Sequence, residues 1–462
     1  MSAIQQAATQ QLVDDAEGKV IEAKLGMMVC QTAVVAAAEG LVMARGRVPA
    51  ELHAATTALL LLAGATHADP ALDITLAESG CPAVTADLLA AFATNADGST
   101  PVTRDQAAAL ACHLQPVLTR AAAGDDAAQA LLTAVYQAWR LAFRPQTWGG
   151  KPDNCKSNWL ANLQAVVAIN INSDSRFWAG LYAYSCMSTD DFAATVLMTP
   201  ATATATSTKK NGNRKMLAFL PGGSRPPAPT YAPAINWLTA GKVLPAGFQA
   251  ACGSSWAFAA AAALESKLMI DTQANTTAAL SPQHIMYAAE RGVTTDDAYR
   301  YRPATPGSDV DAKGFLLQCD RPFLTGKAAK AGLARISATP AYRQVSPANS
   351  KAALLHALAA QPAVATLAVD ASFQHYAGGI WTSSACAASP NHALLLVGYA
   401  TLPAGQEHLL AKSSLGAAWG EAGFVHVAMT ADGPGMCSLY RAAFQPSAVS
   451  VIAPVQPGNS DH

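Results

Sequence analysis

Three side chains in this sequence have the types and the order that nucleophilic catalysis needs. Ser255 supplies a hydroxyl, His392 follows 137 positions later as a base, and Gln249, six positions before Ser255, carries an amide able to donate to an oxyanion. The surrounding stretch is Gln249-Ala250-Ala251-Cys252-Gly253-Ser254-Ser255-Trp256-Ala257-Phe258, followed by an Ala-rich run to Ile270. Gly253 permits a tight backbone path, and the small, aromatic and then Ala-rich residues after it predict a buried helix presenting Ser255 at its first turn. Cys252 lies three residues before that position and is poorly placed as a nucleophile.

The elements that must position these groups are bounded by composition. At 462 residues the chain is long for one core, so two or three domains are expected. A net charge of -1 with 13% charged residues implies no polyanion-binding surface, which argues against nucleic acid as a partner. The apolar content of 51% rests heavily on Ala, which suits closely packed helices and leaves room for self-association. Met1 to Lys19 shows no basic start followed by an apolar run, and the longer apolar stretches are interrupted or short. The expectation is therefore a soluble, cytoplasmic protein without membrane insertion, with export by a signal-less route as the alternative. Nine cysteines are spread singly with no C-x-x-C, so neither a zinc ribbon nor a dense disulfide scaffold is expected. No cofactor or metal motif is visible.

Residues 1–199 read as mostly helical. Thr103-Arg104-Asp105-Gln106 and Gly124-Asp125-Asp126 have the form of capped helix starts with acidic first turns. The aromatic section from Pro145 to Met198 is expected to supply a core rather than a ligand platform. Residues 200–228 are Thr-, Pro- and Gly-rich with a basic cluster, Lys209 to Lys215, and read as a linker.

From 229 to the end, several ordered motifs resemble those of papain-like cysteine peptidases. The segment Gln249 to Phe258 is similar to that family's Q-x-x-C-G-S-C-W-A-F, and Asn391-His392-Ala393-Leu394-Leu395-Leu396-Val397-Gly398-Tyr399 to its N-H-A-V-x-x-V-G-Y. Lys412-Ser413-Ser414-Leu415-Gly416-Ala417-Ala418-Trp419-Gly420-Glu421 resembles K-N-S-W-G-x-x-W-G-E, and Leu280-Ser281-Pro282-Gln283 resembles L-S-E-Q. The resemblance implies an α+β, two-lobed domain at 229–462, with a helical lobe led by Ser255 facing a barrel-like β lobe carrying His392. It also implies that Cys386 and Cys437 stand at positions that are bridged in many relatives.

The departures fall where the resemblance matters most. Ser255 stands where the family has its catalytic cysteine, Ser413 where it has the Asn that orients the base, and Leu415 where a Trp shields that contact. A Cys thiol is pulled down by a neighbouring His and a helix N-terminus, whereas a Ser hydroxyl needs a precisely oriented base. The chain also runs from Gln283 to Tyr299 without the family's disulfide-bearing glycine loop. Cys252 and Cys319 then lack their usual partners, and are expected as free thiols or as a pair with each other. No inhibitory propeptide helix pattern is visible upstream. Three readings stay open: a pseudoprotease serving as a binding or assembly module for a polypeptide or protein partner, a cysteine peptidase held as a Cys-to-Ser form at 255, and an acyltransferase or hydrolase using Ser255 and His392.

Overall fold

Thr103 opens the first described helix with the reciprocal bonds its sequence promises. Its side chain accepts from Gln106 N at 3.3 Å, and Gln106 Oε1 accepts from Thr103 N at 2.8 Å. The computed structural model describes residues 81, 103–143, 154–198, 232–275, 277, 279–283, 285, 335–337, 342–403, 405–447 and 449–452. The linker expected at 200–228, and the loop expected to be missing between Gln283 and Tyr299, lie outside these residues apart from Ile285. Contacts divide the chain into two units, and the division falls between Cys186 and Met187.

The first unit contains α1 (Arg104–Ala122), α2 (Asp126–Phe143), α3 (Cys155–Ile171), the short β1 (Phe177–Ala179) and a 3-10 turn at Ala183–Cys186. Asp125 caps α2 by accepting from Ala128 N at 3.1 Å, and its other oxygen pairs with Arg120. The aromatic section does supply core: Trp159, Phe177, Tyr182 and Tyr184 are buried, and the Trp159 ring packs edge to face on Tyr136 of α2 at 5.4 Å. Asn170 clasps Ala179 through both its amide groups, at 2.7 and 2.9 Å, which fixes the turn back from α3 to β1. Two disulfides, Cys81–Cys112 and Cys155–Cys186, staple this unit. Neither pairing was visible from the singly spread cysteines, because spacing alone cannot reveal which of them fold back onto one another.

The second unit comprises α4 (Thr189–Thr195), β2 (Ile235–Asn236), α5 (Ser255–Asp271), β3 (Arg335–Ser337), β4 (Tyr342–Gln344), α6 (Lys351–Ala360), β5 (Ala363–Leu367), β6 (Tyr376–Trp381), β7 (His392–Thr401), β8 (Glu407–Lys412), β9 (Phe424–Ala428), β10 (Ala443–Pro446) and β11 (Ser450–Ile452). Its sheet runs β6-β9-β8-β7-β5-β10-β4, with β2 added on β7 and a separate β3/β11 pair. Helix and sheet coexist as the α+β expectation requires. α5 is apolar almost all round and is buried accordingly, its alanines allowing close approach to β7. β7 reads as a continuous apolar run, and it is buried at each position from His392 to Tyr399.

Gly398 is where β2 crosses β7. A Cβ there would lie 2.2 Å from the Ile235 carbonyl oxygen, so only glycine allows the register Asn236↔Gly398. A Gly398→Ala substitution should lower the unfolding free energy by about 2 kcal/mol in urea titrations at neutral pH. An unchanged midpoint would mean that β2 is free to move aside.

Candidate active site

Strand order brings the base to its partner. His392 is the first residue of β7, and Ser413 directly follows the last residue of the antiparallel neighbour β8, so the ends of the two strands meet. His392 Nε2 and Ser413 Oγ share a hydrogen bond at 3.2 Å. Phe373, its ring 5.4 Å from the imidazole, stacks in turn on Trp419, whose Nε1 donates to the Phe373 carbonyl at 3.1 Å. His392 is fully buried, and burial pushes its pKa down to about 3, so the ring is neutral at physiological pH. Its other nitrogen, Nδ1, makes no hydrogen bond.

Ser255 is the first residue of α5, as expected, and it too is fully buried. Its Oγ accepts a hydrogen bond from Ala393 N at 3.1 Å, on the residue after His392. The structure therefore brings Ser255 and His392 to adjacent positions, but no hydrogen bond links the hydroxyl to the imidazole.

Gln249 lies beside them, buried and held on every side. Its backbone N–H donates to the Ser414 carbonyl at 2.8 Å, and its Oε1 accepts from Ser414 Oγ at 2.5 Å. Its Nε2, the oxyanion donor of the sequence reading, donates to the Cys252 carbonyl at 2.6 Å and to the Val196 carbonyl at 2.7 Å. That second acceptor reveals what the sequence did not. Residues 187–198, read from sequence as the end of a helical domain at 1–199, pack within the second unit. α4 is capped by Ser188, which accepts from Asp191 N at 3.1 Å, and then the chain extends. Met198 N donates to the Asn391 carbonyl at 2.7 Å, and the Leu197 carbonyl lies over Gly253, where a Cβ would stand 2.9 Å from that oxygen. Val196 and Leu197 are buried. A stretch of the chain itself thus lies across Gln249, Gly253 and Asn391.

Asn391, quoted from the sequence only as the start of the His392 motif, holds this segment from the other side. Its side chain bonds both backbone groups of Val369, at 2.8 and 3.0 Å, which fixes the carbonyl that receives Met198. Its place directly before His392 was the available signal. Among the cysteines, Cys386–Cys437 is bonded as the resemblance implied. Cys252 is also disulfide-bonded, to a partner outside the described residues, which corrects the free-thiol alternative. Among the described residues no group of His, Cys, Asp or Glu is arranged to hold a metal, and no helix is long and apolar enough to cross a membrane.

Residues 231–447 match the family described as papain family cysteine protease. The C-terminal half carries a papain-family cysteine protease domain. The senescence-specific cysteine protease SAG39 of Oryza sativa subsp. indica is 27% identical over 357 residues, covering 73% of this chain and 94% of that protein. Cathepsin K of Gallus gallus is 33% identical over 217 residues, covering 44% of this chain and 60% of that protein. The crystal structure of the ragweed pollen allergen Amb a 11, a cysteine protease in its proform, covers 72% of this chain and 95% of that one, with a TM-score of 0.54 at 19% identity. This last likeness shows the fold of the papain-family domain and extends beyond residues 231–447.

Proposed function

We propose that the papain-family domain is a catalytically silent pseudoprotease, a groove that holds extended polypeptide and serves as a binding or assembly module. The observation that carries this reading is the state of Ser255: its oxygen is engaged by the Ala393 N–H and not by His392. A serine nucleophile must pass its proton to a base, and the base in turn needs a partner that fixes its tautomer. Here the imidazole is buried and neutral, and Ser413 offers a rotatable hydroxyl in place of a fixed carbonyl acceptor. The residues that grip peptide backbone remain in use, since Gln249 and Asn391 hold Val196 and Met198. The disulfides favour an oxidising compartment over the cytoplasm for such a module. Its partner in this reading is a polypeptide.

The names of the similar proteins support a second reading, an active cysteine peptidase whose nucleophile is absent from this form. Intact-mass labelling of a Ser255→Cys variant separates the two, using iodoacetamide across a pH series and a peptidyl epoxide, with Ser255→Cys/His392→Ala as control. The silent groove predicts a buried thiol whose reaction sets in only above about pH 8.5 and which labels more slowly than an exposed cysteine. Stoichiometric labelling at pH 6 that is lost with His392→Ala would overturn it and establish the peptidase.

A further inference from the structure

Beside the site, α5, the β7/β8 ends and Leu244 to Phe248 line a half-open cavity of about 390 Å³, within the range of small-molecule sites. Neither Ser255 nor His392 lines it, although their neighbours Ala393, Ser413 and Ser414 do. Its walls are mainly apolar, Phe248, Phe258, Leu280 and Leu395 among them, with Glu265, Ser413 and Ser414 as polar lining, and the Ala259 and Ala262 side chains leave the space open. One feature does not belong in an idle void. Lys412 lines the cavity with its side chain only 9% exposed, and no hydrogen bond joins its ammonium to the protein among the described residues. Its ion-pair partner, Glu265, has Oε2 at 3.9 Å, beyond hydrogen-bond reach, while Glu265 Oε1 accepts from Leu280 N at 2.7 Å. A buried ammonium has three donors to satisfy, and leaving them unmet is costly.

We infer that this cavity binds a small, mainly apolar molecule bearing one neutral oxygen acceptor, an alcohol or a carbonyl, which completes the hydrogen bonding of Lys412. The neutral class follows from the charges. Glu265 already balances the ammonium, so an anionic ligand leaves an uncompensated charge in a mainly apolar cavity, and a hydrocarbon leaves the donors unmet. Burial holds the Lys412 pKa below its usual value while Glu265 opposes the shift, in keeping with a site short of acceptors. The ligand's body packs against Phe248 and Phe258, and its oxygen faces Lys412.

The test uses the full-length protein and four small monocyclic aromatic probes, benzyl alcohol, acetophenone, benzoate and toluene, each titrated by ligand-observed NMR. The inference expects saturable binding of benzyl alcohol and acetophenone at least tenfold tighter than of benzoate or toluene. An Ala262→Leu variant, which adds bulk at the cavity wall and changes neither Lys412 nor Glu265, should abolish it. Lys412→Met is avoided as the primary test because it strands Glu265 and threatens folding. Toluene binding as tightly as benzyl alcohol overturns the inference in favour of a plain apolar void. Binding that survives Ala262→Leu places the probes elsewhere and overturns it too, and no binding by any probe at millimolar concentration makes the cavity a water-filled space.

Discussion

Between pH 6.5 and pH 4, the unfolding free energy of the C-terminal unit should fall by about 1.4 kcal/mol per pH unit for each of two histidines. These are His375, pushed down to about 4, and His392, pushed down to about 3, both by burial. A histidine whose folded pKa is depressed makes no difference while it is neutral in both states, above about 6.5. Below that, the unfolded chain takes up a proton that the folded chain refuses, so stability is lost until the folded group also titrates. His375 thus stops contributing near pH 4 and His392 near pH 3. Neither has a carboxylate among its hydrogen-bond partners: the Nδ1 of each makes no bond, and His392 meets Ser413 and the Phe373 ring. His408, lowered by burial and by the neighbouring His426, adds to the slope in the same direction. Glu421 does not confuse the result. Its pKa is held below the ordinary carboxylate value, where the His426 bond and the Gly379 N–H outweigh burial, so its stabilisation is lost only below about pH 4.5. Urea titrations at pH 7.5, 6.5, 5.5 and 4.5 give the slope, and His375→Leu should remove one histidine's share of it. A flat profile down to pH 5 would show that these imidazoles are hydrated.

A Gly253→Ala variant should expose residues 187–198 to protease about tenfold faster than the parent while leaving the global unfolding midpoint nearly unchanged. The added Cβ meets the Leu197 carbonyl oxygen at 2.9 Å and the Met198 Cα at 3.3 Å, and both are backbone atoms that cannot rotate away. The overlap is relieved by lifting the segment off Gly253, at a cost of about 1 to 2 kcal/mol to the seated state. When opening and closing are fast compared with cleavage, the cutting rate follows the open population. Mass spectrometry of the early fragments locates the cuts. Cleavage unchanged in rate, or raised only in step with a global loss of stability, would mean that the segment is not held at Gly253.

Much of the site was legible because its parts are local. The helix starting at Ser255 is announced by Gly253 and the Ala run, β7 by eight apolar or small residues after His392, and the Thr103 cap by Gln106 three places on. What escaped was non-local. Cys155 and Cys186 are separated by a helix and a turn, and nothing in their isolated settings points from one to the other. The course of Val196 to Met198 was hidden for the same reason: an apolar triplet after a short capped helix reads as the end of that helix's own domain. Its true partners, Gln249, Gly253 and Asn391, lie far along the chain. The neutrality of His392 was equally hidden, because it follows from complete burial and not from any neighbour in sequence.

The segment at Gly253 is covalently part of the molecule it occupies, and this sets the terms for any competitor. A ligand tethered by a chain of a few tens of residues acts at an effective concentration in the millimolar range, whatever its intrinsic affinity. An outside peptide of equal intrinsic affinity therefore wins half of the grooves only at about that concentration. A single cut in the stretch between Met198 and Ala232 removes that tether and leaves the segment held by its own contacts and by any other covalent link in the molecule.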